Sequence, residues 1–328
     1  MDFLYLDFLG TPTWMWGVFL SLVLGLLALD LGVLHKGSRE IGIRESLMLS
    51  AFYISIGVAF GGWIWFQSGQ QPALEYLTGF VVEKSLAMDN IFIIATIFSF
   101  FAIPREYQHR VLLYGILGVI VLRGIMIAGG AAIVTNFHWV LYLFAGFLVI
   151  TGIRMLFQSD HGGSLEENAV LKFLRRRLPV TESLHGEKFV VRQPDPASGK
   201  LKTFATPLLL ALIMVELADL VFAVDSIPAI FAITTDPFIV YTSNIFAILG
   251  LRALYFALAA LIHRFTYLKY ALAAVLIFVG SKIFVADMFG IAKIPPVLSL
   301  GVTVVLLAAG IFGSMWATRN DKVVESHN

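Results

Sequence analysis

Cysteine is absent from this sequence of 328 residues. The chain therefore cannot form a disulfide bond, a thiolate metal site or a thiol redox centre. Histidine is scarce as well, because there are only seven, and all of them fall in predicted loops or at the ends of apolar segments. Since zinc and copper sites usually recruit histidine or cysteine, the sequence disfavours either metal within the apolar segments.

Charged residues are also few. They make up 14% of the chain, against about 25% in soluble domains, while hydrophobic residue types make up 59%. The mean hydropathy is +0.86. This composition predicts an all-α, polytopic membrane helix bundle, whose partner is the lipid bilayer. The net charge of +1 gives no reason to expect a nucleic-acid partner, and we expect none.

A cleaved signal peptide is not expected, because the first ten residues, MDFLYLDFLG, lack a basic n-region. The first apolar segment is instead expected to remain as a membrane anchor. Nine segments reach the roughly 20 apolar residues that a membrane-spanning helix needs. They lie at about 14–34, 46–66, 75–101, 109–130, 137–157, 205–231, 237–260, 267–287 and 297–317.

Basic residues alternate along the connections between these nine segments. The first, third, fifth and seventh connections contain two or more Lys or Arg residues, whereas the second, fourth and sixth contain none and the eighth has only Lys293. Under the positive-inside rule, the amino terminus lies outside and the carboxyl terminus lies in the cytoplasm. An odd number of spans is consistent with termini on opposite sides.

The fifth connection, residues 158–203, is the one long polar segment. LEENAVLKFLRRRL begins with acids and ends with bases, as the helix dipole favours, and such a helix could lie on the inner leaflet. FVVRQPDPASGKLKTF predicts a β-hairpin around a Pro/Gly turn. Two interpretations stay open: an ordered cytoplasmic connector, or a segment that regulates the protein or recruits a partner.

An internal repeat is indicated by charged landmarks that occur twice in the same order. EKSLAMDN (83–90) and DLVFAVDS (219–226) each contain an acid, five further residues and an Asp. GILGVIVLR and NIFAILGLR then each end in Arg, and ITGIR and FVGSK each contain Gly-x-basic. Each copy covers three spans, so the second copy must enter the membrane from the opposite side. Such inverted repeats are typical of secondary transporters that work by alternating access.

This repeat divides the chain into five parts: a two-helix extension (1–74), repeat 1 (75–157), a cytoplasmic loop (158–203), repeat 2 (204–287), and a last span with a cytoplasmic tail (288–328).

Acids outnumber bases inside the predicted spans. The acids are Asp30, Glu83, Asp89, Glu216, Asp219 and Asp225, and the bases are Lys84, Arg123 and Arg252. Each charge at mid-bilayer costs roughly 2.5–3.5 kcal/mol. Any single acid could form a structural ion pair, but the bases are too few for all of them. A surplus of carboxylates must be protonated or must bind a cation.

The other candidate ligands are the amides of Asn90 and Asn244, the hydroxyl of Ser226 and backbone carbonyls. These carbonyls include that of Val224, which Pro228 is expected to free by kinking its helix. All of these are hard oxygens, which suit Mg²⁺, Ca²⁺ or Mn²⁺. Glu216 is expected to support the ligands rather than to be one. Asp30 is either a site member or an interfacial residue. The charge-balancing bases Lys84, Arg123 and Arg252 would hold the acids in place between substrates.

The motifs ALDLGVLHK (28–36), EKSLAMDNIF (83–92) and the block at 204–256 make the chain resemble the TerC family of membrane proteins, in particular its Alx-type branch. The resemblance covers nearly the full length. The family is associated with tellurium resistance and manganese export, and Alx-type members with alkaline pH and manganese homeostasis. The resemblance implies a location in the bacterial inner membrane, Mn²⁺ as the substrate, and a path lined by Glu83, Asp89, Asp219 and Asp225.

The leading hypothesis is therefore a secondary exporter of a divalent metal cation. It would use alternating access, with coupling to the protonation of intramembrane carboxylates. We expect no enzymatic activity and no cofactor, with Mn²⁺ as transported substrate only. The alternative is a membrane scaffold that recruits partners in a metal or tellurite stress response. The choice of Mn²⁺ over Ca²⁺ or Mg²⁺ and homo-oligomerisation both stay open.

Overall fold

The computed structural model describes residues 7–32, 42–137, 139–157, 169–194, 199–258, 268–289 and 295–317. The helices there are α1 (Thr13–Gly32), α2 (Ile43–Ser68), α3 (Gln70–Phe100), α4 (Arg105–Asn136), α5 (Val140–Phe157), α6 (Ala169–Arg177), α7 (Pro207–Phe231), α8 (Pro237–Leu249), α9 (Leu251–Leu258), α10 (Leu268–Met288) and α11 (Pro296–Ala317). The strands are β1 (Asp7–Phe8), β2 (Thr11–Pro12), β3 (Val190–Pro194) and β4 (Leu201–Ala205), which form two antiparallel pairs.

The chain is an all-α, polytopic membrane protein. In the described ranges, seven helices are long and apolar enough to cross a bilayer, and the bent pair α8–α9 makes an eighth candidate. Helix α3 is also long, with 31 residues, but Glu83, Lys84 and Asp89 interrupt its apolar character. The expected total of nine spans stays a prediction.

Large apolar side chains cover much of the outer surface of the bundle. Leu24 is 64% exposed, Ile125 is 65% exposed and Val305 is 67% exposed, and all three lie in candidate spans. Soluble proteins rarely expose extended apolar surface of this kind. These side chains therefore mark the surface that faces the lipid.

The helices of the two sequence repeats pack against one another. Helix α3 packs on α7 and on α8, while α4 packs on α7. Helix α5 packs along α10 through two glycines. A Cβ atom at Gly152 would lie 2.8 Å from the backbone oxygen of Ala273, and one at Gly280 would lie 2.6 Å from that of Ala145. Each helix thus uses a glycine to bring the backbone of the other into contact.

Replacing Gly280 by alanine is expected to lower the stability of the bundle by about 1–3 kcal/mol, because the added methyl group has no space against the backbone of α5. The matched control is Gly301→Ala in α11, where an added Cβ would meet no atom within 4 Å. That change removes a helix-interior glycine and should be neutral or stabilising. Thermal unfolding in detergent measures both variants, and equal shifts would contradict the tight α5–α10 contact.

Helices α8 and α9 meet at Gly250, where the chain bends by 40°. The sequence predicts one continuous span over 237–260, and residues 259–260 lie outside the described part. Asp236 begins α8 as a cap, because its side chain accepts hydrogen bonds from the backbone N–H groups of Phe238 (2.8 Å) and Ile239 (3.3 Å). Pro228, where the sequence predicts a kink, lies in the last turn of α7.

The polar segment between α5 and α7 contains the expected helix, α6, and the expected hairpin of β3 and β4. Residues 158–168 and the hairpin turn at 195–198 lie outside the described part. The residues just before β3 dock against α4: Arg110 forms an ion pair with Glu187 at 2.7 Å, and the rings of Tyr114 and Phe189 meet edge to face at 5.2 Å. The described part of the segment thus has an ordered structure, and the choice between a connector and a partner-recruiting element stays open.

Candidate functional site

The guanidinium of Arg123 lies at the centre of the helix bundle. Arg123 belongs to α4, and only 1% of it is exposed. Its Nε donates to Asp219 Oδ2 at 3.1 Å and its Nη2 donates to Asp219 Oδ1 at 3.0 Å. These two parallel hydrogen bonds form the paired geometry in which arginine and a carboxylate interact most strongly.

The remaining Nη1 of Arg123 reaches three further oxygens. It pairs with the carboxylate of Glu83 on α3, donates to Asn244 Oδ1 on α8 at 3.0 Å, and donates to Ser226 Oγ on α7 at 3.2 Å. One buried cation thereby holds polar groups from three neighbouring helices. Four of the oxygen ligands that the sequence suggests are thus bound to Arg123: Glu83, Asp219, Ser226 and Asn244.

The charges of this cluster do not balance. Glu83 is 1% exposed and Asp219 is 8% exposed, so two buried carboxylates face one guanidinium. Among the described residues, Glu83 Oε2 and Asn90 Oδ1 are buried and have no hydrogen-bond partner. Buried carboxylate and amide oxygens normally have one. The cluster therefore has spare oxygen acceptors and, if ionised, a surplus negative charge.

Lys84 does not compensate this charge. It is buried, and its Nζ donates to the backbone oxygen of Ala247 near the end of α8 at 2.9 Å. In the described ranges no carboxylate oxygen lies within ion-pair distance of Lys84. Its position at the carboxyl-terminal end of a helix is one that favours a cation.

A small cavity borders the Arg123 cluster between α3, α4, α7 and the α8–α9 bend. Its polar lining comes from Asn90, Asp219 and Arg252, and its other walls are apolar, including Ile94 and Phe222. The volume open to the centre of a water molecule is about 20 Å³. That is enough for one water molecule or one small ion. Asn90 Nδ2 lies 3.4 Å from Asp219 Oδ1 at its edge.

Asp30 and Arg252 form a second buried ion pair. Asp30 is 5% exposed and lies on α1, and Arg252 is 4% exposed and lies on α9, two residues beyond Gly250. The hydroxyl of Tyr53 on α2 is a further hydrogen-bond partner of Asp30. Asp30 is thus a partner of the arginine on the cavity wall, and it does not join the carboxylates around Arg123.

The other predicted acids lie apart from this centre. Asp225 is half-buried and faces Thr151 and Arg154 on α5. Both carboxylate oxygens of Glu216 are buried without a hydrogen-bond partner in the described part of the chain, against Gly118 on α4. The side chain of Asp89 lies outside the described part.

The predicted acids therefore do not all meet at one point. Within the described ranges, no group of three or more His, Asp or Glu side chains is arranged to hold a metal ion. The structure brings Glu83, Asn90, Asp219 and Ser226 together around Arg123 and the cavity. Asp30 pairs with Arg252 instead, and Asp225 faces α5. Glu216 lies one turn before Asp219 on α7, but its carboxylate oxygens bind none of these groups in the described part.

Two polar partners carry no sequence signal of their own. Tyr53 and Thr151 sit in apolar helices outside the repeated motifs, and nothing in their spacing marks them as partners of Asp30 and Asp225. Asn244, by contrast, is one of the amide ligands that the sequence suggests, eight residues before Arg252 in the second copy of the repeat. Its contact with Arg123 depends on the packing of α8 against α4.

A family model described as "Integral membrane protein TerC family" matches residues 68–322. An uncharacterized membrane protein of Myxococcus xanthus is 46% identical over 311 residues, which cover 95% of this chain and 94% of that protein. An uncharacterized membrane protein of Rickettsia bellii is 47% identical, over 92% of this chain and 96% of its own length.

A protein of Salmonella typhi named "Putative membrane-bound redox modulator Alx" is 42% identical over 316 residues, which cover 94% of this chain and 95% of that protein. The likeness therefore extends over whole chains and confirms the resemblance that the acidic motifs predict. No solved structure matches the chain.

Proposed function

The chain belongs to the TerC family of integral membrane proteins, and on this premise we propose that it is a secondary transporter that exports a divalent metal cation, with Mn²⁺ as the leading candidate. In this proposal the protein lies in the bacterial inner membrane, with its amino terminus outside and its carboxyl terminus in the cytoplasm. The cation moves outward by alternating access between the two repeats.

The observation that carries the proposal is the arrangement around Arg123. Its guanidinium binds Glu83 of the first repeat and Asp219 of the second, and also the oxygens of Ser226 and Asn244. We infer that Arg123 takes the place of the transported ion while the carrier is empty. When the arginine withdraws, two carboxylates and neutral oxygens remain, a set that suits Mg²⁺, Ca²⁺ or Mn²⁺.

The packing of the helices supports the inverted repeat. In the proposed inverted repeat, α3 corresponds to α7, α4 to α8–α9, and α5 to α10. The contact between α3 and α8 is then equivalent to the contact between α7 and α4. The repeat also makes α3–α7 and α5–α10 contacts between equivalent helices, and all four pairs are in contact. The glycines Gly152 and Gly280 hold equivalent places in the two sequence copies and make equivalent close approaches.

The acids away from Arg123 receive supporting roles in this proposal. Asp89 and Asp225, which end the two copies of the acidic motif, are proposed to line the path on either side of the centre. Glu216 has buried oxygens without a hydrogen-bond partner in the described ranges, so it is a candidate to carry a proton on the return step. Asp30 is proposed to keep Arg252 at the wall of the cavity.

A redox role, as the name of the Salmonella typhi relative suggests, would need chemistry other than that of thiols, because this chain contains no cysteine. Transport of a metal ion could alter cellular redox balance without any redox centre in the carrier. A membrane scaffold remains the second candidate, with the exposed part of the α6–β4 segment as its docking surface.

The proposal predicts that the purified protein moves Mn²⁺ across the membrane of liposomes that contain no other protein. Asp219→Asn is expected to lower the rate by at least about tenfold, because hydrogen bonds to charged groups contribute about 1.5–3 kcal/mol each. The matched control is Asp287→Asn, an exposed residue near the end of α10, which should keep the wild-type rate.

A manganese-sensitive dye inside the vesicles gives the rate, and added Ca²⁺ or Mg²⁺ gives the selectivity. A competitor that suppresses Mn²⁺ uptake completely at equal concentration would reassign the cargo. Equal rates for Asp219→Asn and Asp287→Asn would remove Asp219 from the path, and a wild-type protein that transports none of the three cations would leave the scaffold role in its place.

A further inference from the structure

The short helix α6 is fixed to the bundle at the end of a predicted span. Leu171 is 1% exposed and belongs to the same apolar cluster as Phe101, which follows the last residue of α3. The guanidinium carbon of Arg175 lies 5.9 Å from the ring centroid of Phe100. Helix α6 therefore lies at the level where α3 leaves the apolar layer of the membrane.

The opposite face of α6 combines an exposed aromatic ring with basic side chains. Phe173 is 57% exposed and Val170 is 41% exposed. Lys172, Arg176 and Arg177 are exposed, and the guanidinium carbon of Arg177 lies 5.6 Å from the ring centroid of Phe173. At 3.6 residues per turn, Phe173 falls between Arg176 on one side and Arg177 on the other.

We propose that this face of α6 binds the phosphodiester headgroups of anionic lipids in the adjoining leaflet, with Phe173 inserted at the boundary between headgroups and acyl chains. Amphipathic helices that lie in the membrane plane have basic residues beside an aromatic or aliphatic face in this way. Clusters of Lys and Arg immediately next to a membrane span attract anionic lipids.

The position of α6 distinguishes this surface from a site for a soluble anion. A helix held beside the end of a membrane span faces the lipid headgroups at all times, and an exposed phenylalanine between arginines gains nothing from a free phosphate ion. Glu187, an acid in the docked part of the same segment, is paired with Arg110 and does not neutralise α6. Glu166 and Glu167 lie outside the described part.

The proposal does not depend on transport and can be tested in the full-length protein. Because the chain has no cysteine, a single Val170→Cys substitution gives one site for a nitroxide spin label and leaves Phe173 in place. Lys200→Cys, on the exposed hairpin, serves as the reference for water, and Val305→Cys, 67% exposed on α11, serves as the reference for lipid.

Labelled protein is reconstituted into vesicles of phosphatidylcholine, with or without the anionic lipid phosphatidylglycerol. The measurement is the accessibility of the label to oxygen, which partitions into lipid, and to a water-soluble nickel chelate. With phosphatidylglycerol present, we expect nickel accessibility at residue 170 to fall severalfold below that at residue 200. The fall should disappear when Lys172, Arg176 and Arg177 are all replaced by Gln, and at about 1 M salt, where the Debye length is only about 3 Å.

Three results would overturn the proposal. A label at residue 170 that stays as accessible to nickel as the label at residue 200 would place α6 in water. The same burial in pure phosphatidylcholine would show apolar insertion without recognition of anionic headgroups. A label shielded from oxygen and nickel alike would indicate a protein contact, such as a second copy of the chain, in place of lipid.

Discussion

Replacing Arg123 by glutamine is expected to destabilise the metal-free protein by about 3–5 kcal/mol, because Glu83 and Asp219 would remain buried without their counter-charge. The same change should strengthen Mn²⁺ binding, since the cation would no longer compete with a tethered guanidinium. Thermal unfolding in detergent, with and without Mn²⁺, measures both effects. We expect Mn²⁺ to raise the unfolding temperature of the variant by more than that of the wild type.

Transport by Arg123→Gln should nevertheless fall to background. An empty carrier with uncompensated carboxylates at its centre cannot readily return through the membrane, so tighter binding would be accompanied by the loss of turnover. Under the proposed mechanism, the guanidinium of the wild-type protein would cancel part of this charge on the return step. Stronger Mn²⁺ binding together with a lower transport rate is expected only if Arg123 occupies the cation site of the empty carrier. Loss of a purely structural ion pair would not strengthen Mn²⁺ binding.

The matched control is Arg110→Gln, which breaks an ion pair of the same chemistry with Glu187. The side chains of that pair are 35% and 32% exposed, so the change should cost at most about 1 kcal/mol and add no response to Mn²⁺. If Arg123→Gln does not accumulate, Arg123→Lys keeps the charge but loses the paired hydrogen bonds, and it should give an intermediate response. A Mn²⁺ response no larger than that of wild type in both Arg123 variants would contradict the stand-in role.

The sequence predicts the composition of this centre but not its pairing. Glu83, Asp219 and Arg123 stand out because charged residues are rare in apolar segments, and this rarity is visible without a structure. Which acid meets which base depends on how α3, α4 and α7 cross, and no local pattern records a crossing. Asp30 and Arg252 illustrate this limit, since 222 positions separate them along the chain.

Local rules account for α6, the hairpin and the cap at Asp236, because their signals lie within a few adjacent residues. The same rules predict a helix kink at Pro228, but they do not predict the break between α8 and α9 at Gly250. Pro228 has no N–H to donate to the carbonyl of Val224, and α7 ends three residues after it. At Gly250 the space is limited instead by Tyr53 and Lys84, because an added Cβ would lie 2.9 Å from an atom of each.

The pair of Asp30 and Arg252 can be separated from a direct role in metal binding by a double-mutant cycle. Asp30→Asn and Arg252→Gln should each lower stability by about 3–5 kcal/mol, because each leaves a buried charge without its partner. The double variant, which has neither charge, should lose much less than the sum of the two. Thermal unfolding in detergent supplies the stabilities, and the liposome assay supplies the transport rates.

The transport rates show whether Asp30 acts through Arg252 or binds the metal ion itself. If Asp30 acts through Arg252, the double variant should transport Mn²⁺ faster than Asp30→Asn alone, because no guanidinium would remain beside the cavity without the Asp30 charge to offset it. If Asp30 were itself a ligand, its loss would stop transport whatever stands at position 252. If the transport rate recovers in the double variant, α1 acts as a support for the cavity. Helices α1 and α2 would then hold in place a site whose lining comes from the predicted repeats.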